Sequence, residues 1–218
     1  MLGGYLANAA QLEAAAVTAF AIMADELRAY GAPVKLIAEA ERAQEDEVRH
    51  TTIMTALAAS YSTTPGEWKR SPTGNRALAD IAAENEVEGC VRETFAALIA
   101  HWQALHAEDR SIATAMAGIA EEETRHAALS WKVANWAVPL LNPSERSQLN
   151  FLRRNAIEAL RAELAAPLPD DLIHKAGLPT PTQAHALLDQ MDRELWSIPD
   201  PNVVDDLVEP LGIERRRS

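Results

Sequence analysis

Cysteine is nearly absent. The single Cys90 excludes an internal disulfide and any four-cysteine iron site, and it is consistent with a reducing compartment. Aromatic residues make up only 5% of the 218 residues, and no run of alternating β-branched residues marks a strand, so an all-α class is expected. Basic charge is short too. Lys and Arg number 20 against 32 Asp and Glu, a formal net charge of −12, which argues against electrostatic binding to nucleic acid or to an anionic membrane. The start, Met1 to Asn8, lacks a basic region leading into an apolar core, and no apolar stretch is expected to reach the ~20 residues of a membrane span. A cytoplasmic protein is the expectation. What the chain has is 48% hydrophobic content, enough to bury one main core with an appendage.

It also has a repeated motif. Glu45-Asp46-Glu47-Val48-Arg49-His50 returns as Glu121-Glu122-Glu123-Thr124-Arg125-His126. Residues i and i+3 of a helix share a face, so Glu47 with His50, and Glu123 with His126, each present a carboxylate and an imidazole in one direction. Twin Glu-x-x-His pairs joined by one lone Glu from each of two further helices form a dinuclear carboxylate site. Two lone Glu are available: the segment from Glu13 to Phe20 aligns without gaps to that from Glu88 to Phe95, pairing Glu13 with Glu88. Glu13 precedes Glu47 by 34 residues and Glu88 precedes Glu123 by 35, so the chain reads as an internal repeat of a helix pair. Four carboxylates gathered at one place need cations to offset their repulsion, which gives part of the acidic excess a second meaning.

On these motifs the chain resembles the ferritin-like superfamily, and more closely a group of bacterial ferritin-like domain proteins with E-G-C-V-x-E-T and D-E-x-R-H type motifs. The resemblance covers roughly residues 5 to 140, and rests on six ligands falling in order. In that group a His often follows the first Glu, where this chain has Ala14. The resemblance implies a ferritin-like four-helix bundle with metal ligands Glu13, Glu47, His50, Glu88, Glu123 and His126. Two metal ions are implied, Fe/Fe first, with Mn/Fe and Mn/Mn as alternatives. Glu47 and Glu123 are expected between the metals, with Glu13 and Glu88 terminal. The activity implied is that of a di-iron oxidoreductase using dioxygen or peroxide on a small molecule, with an unassigned electron donor. The alternatives are an iron-binding, storage or peroxide-scavenging protein, or a metal-stabilised structural bundle. Oligomeric state stays open, a homodimer among the options.

Metal-bound His usually gives its other N–H to a carboxylate, so Asp46 is expected to reach His126 and Glu122 to reach His50. Arg49 and Arg125 read as surface i,i+4 partners of Glu45 and Glu121. Glu84, one turn before Glu88, is a candidate seventh carboxylate. Glu93 reads as structural, being rotated well off the Glu88 face, and Cys90 as a packed small side chain. His101, His106, His174 and His185 lack a Glu-x-x partner and read as surface or capping residues.

Turn signals divide the chain. A first helix is expected from an Asn8 cap to Tyr30, its stripe Leu6, Ala9, Glu13, Val17, Phe20, Met23 and Leu27 interrupted by one carboxylate. Gly31 and Pro33 make a short turn into a second helix reaching Ala59. Residues 60 to 75, rich in Pro and Gly, form the long crossover between helices two and three that a ferritin-like bundle needs. Helices three and four follow over about 76–107 and 109–138. The domain division expected is 1–142 for the bundle and 143–218 for a C-terminal extension, with a fifth helix from Asn142-Pro143 to Leu164, a sixth from Thr180-Pro181 to Trp196, and an irregular tail. Small residues Ala9, Ala10 and Ala16 near Glu13 allow either an apolar cavity or close helix packing.

Overall fold

The computed structural model describes residues 1–67 and 76–197, and within them every regular element is helical. The chain runs α1 (Leu2–Ala29), α2 (Val34–Ser60), α3 (Leu78–Glu84), a π-helical stretch (Asn85–Glu93), α4 (Thr94–His106), α5 (Arg110–Ala137), a 3₁₀ turn (Val138–Leu140), α6 (Pro143–Glu163), α7 (Asp170–His174) and α8 (Pro181–Met191), the last running into a second π-helical stretch (Asp192–Trp196). The middle of the expected crossover, 68–75, and the tail from 198 lie outside the described residues.

The strongest stop signals fall where physics puts them. Gly31, at φ +69°, takes the left-handed conformation that ends α1, and Pro33 sets the turn into α2. Asp109 caps α5, its carboxylate accepting from the backbone N–H groups of Ser111 and Ile112. Asn142 with Glu145, and Thr180 with Gln183, form capping boxes at the starts of α6 and α8, each followed by Pro at the first helical position. Two expectations need correction. The first helix begins at Leu2, not after Asn8, because Asp171 of the short helix α7 accepts the Leu2 N–H at 3.2 Å and supplies the cap from far along the chain. The second is α7, which follows Pro167 and Pro169 where only a break was expected, since five residues carry too little periodicity to mark a helix.

α1 pairs lengthwise with α2, and the rod formed by α3, the π-helical stretch and α4 pairs with α5; α2 and α5 then join the two hairpins. Two apolar clusters fill the interior. One gathers Leu6, Ala10, Met54, Leu57, Ile112, Met116 and Ile119, the other Phe20, Ala24, Leu27, Leu36, Ala40, Ala43, Leu129 and Val133. Glu13 falls between them on α1, Glu47 and His50 on α2, and Glu123 and His126 on α5. A polar layer is thus closed above and below by apolar packing. Ala9 and Ala10 belong to the first cluster and Ala16 packs on the second, so these small residues serve close packing. A third cluster joins the π-helical stretch, α4 and α5 to the C-terminal helices through Cys90, Val91, Phe95, Trp131, Ile157, Leu160, Leu188 and Trp196.

α1 is, by length and hydropathy, long and apolar enough to cross a membrane, which corrects the expectation that no stretch would be. Its apolar face meets α2, and Glu13 sits in the middle of it.

Candidate metal centre

Glu47 and His50 sit one turn apart on α2, as do Glu123 and His126 on α5, so the pairing of α2 with α5 brings all four into the interior. All four are buried. The carboxylates span the two imidazoles. Glu123 Oε1 is 3.0 Å from His50 Nδ1 and its Oε2 is 3.6 Å from His126 Nδ1; Glu47 Oε1 is 3.0 Å from His126 Nδ1 and its Oε2 is 3.6 Å from His50 Nδ1. Each end of this square is closed by one further carboxylate, Glu13 at 3.8 Å from His50 Nδ1 and Glu93 at 3.7 Å from His126 Nδ1. Two groups result, Glu13 with Glu47, His50 and Glu123, and Glu93 with Glu47, Glu123 and His126, and in each the ligand atoms lie within 4.8 Å of one another, close enough to hold a metal ion.

The donor atoms fit a cation. His50 Nδ1, His126 Nδ1 and Glu47 Oε2 are buried and make no hydrogen bond, although buried polar atoms almost always find a partner. Both imidazoles are held from behind. His50 Nε2 lies 2.9 Å from Glu122 Oε2, and His126 Nε2 lies 3.3 Å from Asp46 Oδ2, so each ring spends its outer nitrogen on a carboxylate and turns Nδ1 to the centre. Phe20 packs on the His126 ring at 5.0 Å between centroids.

Charge sets the protonation. Burial alone would push the imidazoles down, but the surrounding carboxylates outweigh it and raise His50 to about 10 and His126 to about 12. Burial and then the neighbouring Glu47 charge lift Glu13 to about 10, and burial with Glu123 lifts Glu93 to about 8. Burial opposes ionisation of Glu47 and Glu123 as well, yet the facing His126 and His50 imidazoles prevail and lower both.

The expected ligand Glu88 and the candidate seventh carboxylate Glu84 are not here. Glu88 points to solvent, its side chain 64% exposed and its nearest cation Arg92 at 4.0 Å, and Glu84 is exposed and paired with Arg76. Glu93 takes the position foreseen for Glu88. The cause is the π-helical stretch: a turn closed by i→i+5 bonds takes in an extra residue, and so changes which residues share a face on its two sides. Glu88 also lies five residues, or roughly 7.5 Å of helix, too far from the α4–α5 turn. Glu93 and Glu123 are equally distant from that turn, and Glu93 continues backwards the buried face of α4 through Ala97, Ala100 and Gln103. That stripe was the available signal for Glu93.

The arginines also depart from the sequence reading. Arg49 reaches across to Glu122 at 2.9 Å and also pairs with Asp46, while Arg125 reaches Asp46 at 3.2 Å and Glu122 at 3.4 Å. Only backbone carbonyls tie them to Glu45 and Glu121. The two carboxylates behind the imidazoles are thereby crosslinked by two guanidiniums. The remaining histidines stay outside: His101 meets Thr124, His106 stacks on Trp102, His174 lies 3.4 Å from Glu108, and His185 meets the Arg161 carbonyl.

No family model, curated protein or solved structure matches this chain. The geometry of the cluster therefore carries the functional reading by itself.

Proposed function

We propose that the chain is a ferritin-like dinuclear metal protein that uses dioxygen or peroxide to oxidise a small organic molecule. The observation that carries this is the sharing of Glu47 and Glu123 between two donor groups, each ending in a buried imidazole nitrogen without a hydrogen bond. Glu13, Glu47, His50 and Glu123 would hold one ion, and Glu93, Glu47, Glu123 and His126 the other. Carboxylates with neutral imidazoles suit iron or manganese, and two ferrous ions are the first choice. Such a pair supplies two electrons at one place to an oxidant.

The protein's own residues give that chemistry its setting. Asp46 and Glu122 fix the imidazole rings, and Arg49 with Arg125 hold those two carboxylates in turn. The apolar clusters on either side exclude water from the buried edge. Glu13 and Glu93 remain partly exposed, at 19% and 27% of their side chains, so small molecules would approach from the side of α1 and the end of the π-helical stretch. The two helix pairs, α1 with α2 and α4 with α5, and the long connection between α2 and α3 support reading the chain as a ferritin-like bundle. Cys90, a free and buried thiol, accords with a reducing, cytoplasmic setting.

The test is anaerobic loading with Fe(II) followed by rapid mixing with oxygen. A transient absorbance that forms and decays faster with an added organic substrate would support an oxidising enzyme. Loaded protein that stays spectroscopically silent and merely melts at higher temperature would leave a metal-stabilised bundle.

A further inference from the structure

The C-terminal helices meet the protein at the stretch that turns Glu93 inward. We infer that Trp196, at the end of the π-helical stretch that follows α8, is a positioning residue that clamps the π-helical stretch Asn85–Glu93 in the register that brings Glu93 to the cluster. The inference rests on the metal reading above for the role of Glu93, and on the following contacts for the clamp.

A π-helical turn leaves carbonyls without their usual i+4 donors. Thr94 N–H donates to Gly89 O and Val91 O, not to Cys90 O, the carbonyl it would take in a regular α-helix. Cys90 O instead accepts the indole N–H of Trp196 at 2.8 Å, in a fully buried bond. Trp196 is 2% exposed, and with Leu188 and Leu195 it packs against Cys90, Val91 and Phe95. The indole therefore supplies a donor that favours the wide turn. A relaxed α turn would offer Cys90 O its own donor and leave the buried indole N–H unpaired.

Side-chain ties from α6 point the same way. Glu86, buried at 1% exposure in the π-helical stretch, pairs with Arg153, whose guanidinium also lies over Trp131 at 5.3 Å. Arg92 forms a two-pronged pair with Glu163 at 2.7 and 3.0 Å. On the inner side Gly89 is pressed so close to Ser130 that any Cβ would collide, and Asn85 donates to Ser130 O at 2.9 Å. The stretch is held on both flanks, by α5 within and by α6 and Trp196 without. If it relaxed, residues before it would rotate relative to those after it, and Glu93 at the junction would leave its place.

The experiment is Trp196→Phe in the full chain, which keeps the ring and deletes the donor, with Glu93→Gln as reference. Co(II) and Fe(II) titrations under anaerobic conditions resolve the two sites, and hydrogen exchange on metal-free protein follows amides 85–94. The expected result is a folded variant in which one site weakens by roughly ten- to a hundredfold and the other keeps its affinity, as in Glu93→Gln, with faster exchange confined to the stretch. Unchanged affinities and exchange would overturn the inference. So would equal weakening of both sites with a lowered melting temperature, which marks a merely structural role. If wild-type protein binds fewer than two ions, the metal reading fails on its own. Exchange in the metal-free variant then decides the clamp: faster exchange at 85–94 upholds it and unchanged exchange overturns it.

Discussion

At the scale of residues, the pairing of Asp46 with His126 and Glu122 with His50 is the feature with the sharpest consequence. These contacts cross between α2 and α5, so each motif orients the imidazole of the other. Glu122→Gln keeps a hydrogen-bonding group but loses the charge facing His50, and should weaken binding at the ion held by His50 by about ten- to a hundredfold, read by metal titration. Asp46→Asn should do the same at His126. Equal effects on both ions from either change would contradict the crossed arrangement. Most of this was legible: the motif repeat named Glu47, His50, Glu123 and His126, and helix periodicity named the face they share. Glu93 was not legible by the same route. A gapless match of the segments ending in Phe20 and Phe95 pointed to Glu88, since alignment assumes one helical register throughout and the π-helical stretch changes it.

At the scale of elements, capping chemistry fixed the boundaries that sequence could find. Gly31, Asp109, Asn142 and Thr180 each end or begin a helix for a local reason. The start of α1 was hidden because Asp171, distant in sequence, supplies its partner. Asp109 is the cap most open to test. Hydrogen bonds from Ser111 and Tyr61 hold its carboxyl down at about 2, from an ordinary value of 3.8. A depressed folded-state value stabilises the protein above the unfolded value, and that contribution is lost as pH falls from near 4 towards 2. Asp109→Ala should lower stability by about 1 kcal/mol at neutral pH. Its difference from wild type, measured by urea unfolding, should shrink over that acid window. A difference unchanged across the window would show that Asp109 acts other than as an ionised cap.

At the scale of the whole molecule, four carboxylates and two imidazoles form a polar layer between two apolar clusters. A bound cation would offset the repulsion among these carboxylates. Because ligand that binds only the folded state stabilises by mass action, free metal at a hundred times its dissociation constant adds about 2.7 kcal/mol per site. The melting temperature should therefore rise with added Fe(II) or Mn(II) and fall on chelation. In Glu47→Ala, which removes a ligand shared by both groups, the response should be largely abolished. An identical rise in that variant would place the stabilising ion elsewhere. How the C-terminal helices engage the rest was not legible in sequence, because tryptophan and arginine at those positions read as ordinary core and surface residues until their partners Cys90 and Glu86 are seen.

The most direct test of the dinuclear reading is metal content per chain after anaerobic Fe(II) loading and removal of excess, compared among wild type, Glu93→Ala and Glu88→Ala. The account predicts two ions in wild type and in Glu88→Ala, and one in Glu93→Ala. One ion or none in wild type, or a loss on changing Glu88 with none on changing Glu93, would contradict it.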